Sequence, residues 1–231
     1  MSTAVFISIV MLSVVASGFE LIGTAKDIKS GKIIYIEKHQ ITNDAKGFNR
    51  LIQTDYTRPD GEIFASIKSD FSKSLFLPEV EYKDQRFQLT ETQTYDKESQ
   101  KVVLTKIEKN KETEKKEFAV KENFVTGQGF NNFIKTHCEA LPGKAIEINF
   151  IVLARMDYYK FNILPQKIDS TTERSFALTA GNFIFRMFSH PIEVSYDART
   201  CRLLTFKGLS NIMNDQDKSQ EVLIHYSEGT P

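Results

Sequence analysis

Apolar and polar side chains alternate along most of this chain, and a period of two residues is typical of half-buried β-strands. Between residues 21 and 95 several such runs are separated by turn signals, of which the Pro- and Gly-containing residues 58–61 are the clearest. The strand after this turn places one apolar set on one face: Ile63, Ala65, Ile67 and Phe71. The alternation resumes at Ile146 and continues to Tyr226, so the pattern predicts antiparallel strands with one buried and one solvated face.

Residues 106–117 carry dense charge of both signs, and apolar positions alternate before and after them. This pattern predicts a long solvated hairpin that turns near Asn110, and a flexible linker is the alternative.

One segment has a helical period instead. Its apolar side chains fall on one stripe at 3.6 residues per turn, and residues 142–143, Pro and Gly, end it. The stripe consists of Phe130, Phe133, Ile134, His137, Cys138 and Leu141. The predicted fold is mainly β, with long antiparallel strands forming a strongly curved sheet or open barrel and one amphipathic helix packed against it. No sequence signal divides residues 17–231, which we interpret as a single β-rich domain.

The first nineteen residues contain no charged side chain, and residues 4–16 form an apolar run of signal-peptide length. We therefore predict that residues 1–16 are a signal peptide, that the protein is periplasmic or secreted, and that no stable membrane span remains after cleavage. The missing basic residue near Met1 leaves two alternatives open, an uncleaved anchor and a buried strand.

The amino-acid composition argues against nucleic-acid binding and indicates the character of the protein interior. Thirty basic and thirty acidic side chains without a basic stripe argue against nucleic acid as a partner. Eighteen Phe and no Trp favour an aromatic-lined interior.

No catalytic, metal or cofactor motif is recognisable. The four histidines occur singly, so no metal ligands are assigned, and residues 127–132 lack the third glycine of a dinucleotide fingerprint, so no cofactor is expected. Cys138 and Cys201 form an even pair that either bridges in an oxidising compartment or remains as two separate thiols. The protein is therefore interpreted as non-enzymatic, although Cys138 with a distant histidine leaves a hydrolase as a weaker alternative.

Arg155 and Asp157 interrupt an apolar run and would share a face on an extended strand. An interior face would make the pair an anchor for a ligand head group, whereas a turn at this point would make it ordinary surface chemistry.

The chain also resembles a family of exported proteins of Gram-negative bacteria that has no assigned function. The resemblance lies in residues 76–78, 84–86, 129–130, 133–134, 141–143, 155–158, 161, 191–197 and 203–212. Cys138 stands near a position that carries an aromatic residue in that family. The resemblance implies an architecture similar to the open β-barrel with a helix plug of periplasmic lipoprotein carriers, and hence apolar-ligand binding.

Two functions follow as hypotheses. The first is a periplasmic binding protein that holds an apolar or lipid-like ligand in a β half-barrel, in an apolar cavity of roughly 300 Å³ or more between helix and sheet. The second is a cell-envelope scaffold or assembly factor that binds protein partners through exposed strands. The candidate ligand-binding residues are Arg155, Asp157, Tyr159, Phe130, Phe133 and Asn211.

Overall fold

The computed structural model describes residues 18–138, 145–167, 170–180 and 191–229. Fifteen strands follow one another: β1 (Gly18–Asp27), β2 (Ile33–Asn43), β3 (Asn49–Thr57), β4 (Ile63–Asp70), β5 (Glu79–Asp84), β6 (Leu89–Asp96), β7 (Lys101–Glu108), β8 (Glu114–Ala119), β9 (Phe124–Thr126), β10 (Ile146–Val152), β11 (Asp157–Gln166), β12 (Glu173–Ala180), β13 (Ile192–Asp197), β14 (Leu203–Leu209) and β15 (Glu221–Glu228). Helix α1 (Phe130–His137) follows β9, and a 3₁₀ helix (Leu153–Arg155) joins β10 to β11.

All fifteen strands belong to one sheet, in the order β8-β7-β6-β5-β4-β3-β2-β1-β15-β14-β13-β12-β11-β10-β9. The first and last strands pair in its middle, and only β9 with β10 is parallel. The predicted fold class is confirmed, since antiparallel strands dominate, no hydrogen-bonded pairing among the described strands closes the sheet, and α1 packs against it.

Cross-strand partners share a face of the sheet, so the register shows how the sheet is folded. One face carries Ala25 of β1, opposite Tyr35 of β2 and Ile224 of β15, and we call it the concave face. The same face reaches Val102 of β7 in one direction and Phe161 of β11 in the other, and it bears most of the buried side chains.

The two ends of the sheet overlap. Val102 and Phe118 lie on the concave face of β7 and β8, whereas Ile151 and Tyr158 lie on the opposite, convex face of β10 and β11. These four side chains nevertheless belong to one apolar cluster, and the rings of Phe118 and Tyr158 are 5.0 Å apart. The sheet is therefore rolled, with the concave side of one end resting on the convex side of the other.

The charged hairpin is confirmed as a hairpin, because β7 and β8 pair on either side of a turn that contains Asn110. One detail of the strand pattern is wrong. A bulge opposite Thr57 lets Phe64 and Ala65 both turn inward, and Ile63, expected on the buried face, is 47% exposed. A bulge adds one residue to one strand and so breaks the period of two.

Helix α1 begins at the predicted residue. Phe130, Phe133 and Ile134 are buried against the concave face, and Leu141 lies outside the described residues. Residue 129, which precedes the helix, must be glycine. A Cβ at this position would stand 2.0 Å from the carbonyl oxygen of Phe76.

Candidate functional site

The residues predicted to bind ligand lie in three separate places. Phe130 and Phe133 are buried in the main apolar cluster, and Tyr159 packs partly buried against it. Their side chains fill the space between α1 and the sheet, since Phe133 is only 1% exposed.

Arg155 and Asp157 occupy the turn that the sequence left as the second alternative. Arg155 ends the 3₁₀ helix and is exposed, and Met156 adopts a left-handed conformation. The two side chains therefore do not share an extended strand face. Asp157 instead pairs with Lys116 of β8 at 2.6 Å, across the overlap of the sheet ends.

Asn211 belongs to a loop that covers the concave face between β14 and β15. Its Nδ2 donates to the hydroxyl of Tyr56 at 3.3 Å, and the neighbouring Ser210 shares a 2.8 Å hydrogen bond with Tyr35. Ile212 is completely buried beneath the loop. Asn211 therefore has a structural partner, Tyr56, in the described part of the chain.

Cys138 and Cys201 form a disulfide, with their Cα atoms 6.4 Å apart. The bridge ties the residue after α1 to the turn between β13 and β14, where Cys201 has a positive φ. Sequence left this pairing open because it cannot supply the Cα separation.

Arg174 of β12 reaches the same helix end. Its Nη1 donates to the carbonyl oxygen of Cys138 and lies 3.4 Å from the sulfur of that residue. A cation at the C-terminus of a helix stabilises the carbonyl groups that have no partner within the helix. No motif in the sequence pointed to Arg174. The available signal was its position on the strand face of Phe176 and Leu178, because a charged residue among buried apolar ones indicates a specific polar partner.

A cleft opens beside this helix end, between β11, β12 and the turn after β13. Its volume is about 720 Å³. Most of the lining is polar, with the charged side chains of Lys167, Glu173 and Arg174, and its apolar residues are Pro165, Phe176 and Ala198. Phe176 belongs to the main apolar cluster, so the cleft floor is continuous with the core beneath α1.

A second polar group, which the sequence did not indicate, lies buried at the centre of the concave face. Glu37 Oε2 accepts hydrogen bonds from His39 Nε2 and from the Tyr226 hydroxyl, both at 3.0 Å. His39 Nδ1 lies 2.7 Å from Thr54 Oγ1, and Gly23 leaves room for Tyr226 to cross β1. Burial, followed by the charge of Glu37, raises the pKa of the Tyr226 hydroxyl well above its usual value, so this group remains a donor.

This hydroxyl–imidazole–carboxylate chain has the order of a catalytic triad, but its hydroxyl is out of reach. Thr54 is 1% exposed, and its hydroxyl is hydrogen-bonded to His39, which in turn is hydrogen-bonded to Glu37. We interpret the cluster as a satisfied polar network inside the roll, of the kind that fixes strand register.

Among the described residues no group of three His, Cys, Asp or Glu side chains is placed to hold a metal ion. In the same part of the chain, no helix has both the length and the apolar character that a membrane crossing requires.

Fold and site together define a rolled, almost wholly antiparallel β-sheet protein with one internal helix and a cleft at the disulfide-bonded end. No family model, no curated protein and no solved structure matches this chain.

Proposed function

We propose that this protein is a non-enzymatic binding protein for an apolar or lipid-like ligand, acting in the periplasm or outside the cell after removal of residues 1–16. The observation that supports this function is the cleft of about 720 Å³ at the disulfide end of the roll. Binding sites for small molecules typically measure about 300–1,000 Å³ and combine apolar walls with a few polar groups.

The proposed ligand site differs from the cavity that the sequence predicts between the helix and the sheet. Among the described residues, Phe130, Phe133 and Ile134 fill the interface between helix and sheet. The lining of the neighbouring cleft includes Phe176. An apolar chain in the cleft would lie against Pro165 and Ala198, because Phe176 is only 1% exposed. Burial of this chain would contribute about 0.8 kcal/mol for each methylene group.

The alternative function, capture of a protein through an exposed strand, has weaker support. Strand β8 is one end of the sheet, and Glu114, Lys115, Lys116 and Glu117 make it almost wholly charged and exposed. Charge on an edge strand opposes pairing with another chain. The other end, β9, has three residues, all buried.

The test is a search for co-purified lipid with a variant that fills the cleft. The mature chain is purified without detergent from an oxidising compartment, and native mass spectrometry is followed by solvent extraction. Wild-type protein should carry an apolar adduct, and Ala198→Trp, which places an indole in the cleft, should lose it.

Arg199→Trp is the matched control, because Arg199 is exposed in the same turn. It should keep the adduct and the melting temperature of the wild type. Absence of any adduct in the wild type, together with no binding of added palmitate or hexadecanol, would refute the proposed function.

A further inference from the structure

The cleft contains a cation, Arg174, that has no carboxylate partner among the described residues. Arg174 is half-buried, and its contacts to Cys138 both use Nη1. Within the described ranges, Nη2 and Nε have no hydrogen-bond acceptor and Arg174 takes part in no ion pair. A guanidinium carries five N–H donors in a fixed fork, so the helix cap occupies only part of its capacity.

The surroundings of Arg174 favour an anion. Lys167 lines the same cleft, and Glu173 is its only acidic lining residue in the described part of the chain. Glu173 pairs in register with Asp197, whereas Arg174 is opposite Tyr196 on the concave face. Neighbouring residues on a strand point to opposite faces, so Arg174 and not Glu173 belongs to the face that continues into the apolar core.

The apolar part of the site starts at the same cation. Phe176 lies two residues from Arg174 on the same strand face and is buried in the main cluster. Pro165, the register partner of Phe176 on β11, lies beside it on the same face of the sheet and also lines the cleft. A charged group and an apolar surface are therefore adjacent along one strand.

We infer that the ligand is an amphiphile with one anionic head group, a carboxylate or a phosphate monoanion, which Arg174 binds while its acyl chain lies against Pro165 and Ala198, the partly exposed apolar residues of the cleft. This inference rests on the proposed function and specifies its ligand. Arg174 also donates a hydrogen bond to the carbonyl oxygen of Cys138 at the end of α1. Binding of the head group should therefore stabilise this helix end, and a stable helix end should favour binding.

The test compares two probes with the same chain length, palmitate and hexadecanol, of which only palmitate is charged. The wild-type mature protein should bind palmitate at least about tenfold more tightly, because hydrogen bonds to a charged group exceed those to a neutral one. Arg174→Gln should remove this preference and leave hexadecanol binding unchanged. Arg174→Lys should retain part of it, since lysine keeps the charge without the fork.

Lys160→Gln is the control, because it removes a cation from the convex face, 2.8 Å from Glu147 and away from the cleft. Since Arg174 also caps α1, each variant needs a melting curve. If Arg174→Gln does not fold, Lys167→Gln is tested instead. We expect this variant to reduce the ratio of palmitate affinity to hexadecanol affinity by about threefold.

Four results separate the two proposals. A folded Arg174→Gln protein that still prefers palmitate overturns the head-group assignment, and so does an equal loss of both probes, which would indicate a purely structural role. Equal binding of both probes by the wild type overturns the assignment but retains the binding function. A wild type that binds neither probe overturns both. Palmitate and lysophosphatidic acid, compared on the wild type, then identify the head group.

Discussion

Glu91→Gln should make the protein more stable above neutral pH and leave it unchanged in acid. Glu91 lies on the concave face of β6 and is 3% exposed. Its Oε1 has no hydrogen-bond partner in the described structure, and the ammonium of Lys106 is 3.8 Å away, too far for a hydrogen bond. Lys106 is closer to Glu108, at 2.9 Å.

The size of the effect follows from the pKa of Glu91. Burial raises this pKa from 4.5 to about 7, against the opposing charge of Lys106. The folded protein therefore keeps a proton that the unfolded chain has lost, and its stability decreases as the pH rises from about 4.5 to about 7. At about 1.4 kcal/mol per pKa unit, the ionised carboxylate costs the folded state about 3 kcal/mol above pH 7.

Glutamine keeps the shape of the side chain without the charge. We expect Glu91→Gln to raise the free energy of unfolding by up to about 3 kcal/mol at pH 8.5, which corresponds to roughly 6–12 °C in melting temperature for a chain of this size. At pH 4 the two proteins should unfold alike, because Glu91 is then neutral in both states. Urea unfolding curves at half-unit pH steps from 4 to 8.5 measure the difference.

Glu117→Gln is the matched control. Glu117 is an exposed carboxylate at the sheet edge, paired with Lys101, and its removal should not reproduce the pH-dependent gain. A Glu91→Gln protein whose advantage is the same at pH 4 and pH 8.5, or missing at pH 8.5, would refute the reasoning.

Two further predictions concern the ends of α1. Cys201→Ser should lower the free energy of unfolding by about 4 kcal/mol, the chain-entropy value for a bridge to Cys138 across 63 residues, and dithiothreitol should then have no further effect on urea curves. Gly129→Ala should cost about 1–3 kcal/mol, because its methyl group would collide with the backbone of Phe76. Gly127→Ala, whose nearest contact is an aromatic carbon at 3.8 Å, is the control for Gly129→Ala and should unfold nearly as the wild type does.

The fold was accessible from sequence because its signals are local. Alternation along each strand and the stripe from Phe130 to Ile134 each report one element and its buried face. The order of the strands follows largely from short turns, since nearly every strand pairs with its neighbour in sequence. The pairing of β1 with β15 does not follow from them, because no local signal brings the two ends of a chain together.

The site was less accessible because it is made of contacts between distant residues. Arg174 meets Cys138 across 36 positions, and Tyr226 meets Glu37 across 189. A polar residue on an otherwise apolar strand face was the available signal, and Glu37 and Glu91 both carry it. Such a residue indicates that a buried partner exists but does not identify the partner.

Both edge strands of the rolled sheet are protected from pairing with other chains, and this favours a function at the disulfide-bonded end of the molecule. An open sheet presents unpaired backbone groups at both edges, and such edges invite pairing with other chains. Here β8 is charged, and its Lys116 is held by Asp157 of the overlapping layer, while β9 is short and buried. In the part of the chain that the structure describes, the cleft at the disulfide end combines open volume, partly exposed apolar residues and an arginine without an acidic partner. We therefore propose this cleft as the site of the proposed binding function, where the disulfide and Arg174 both contact the end of α1.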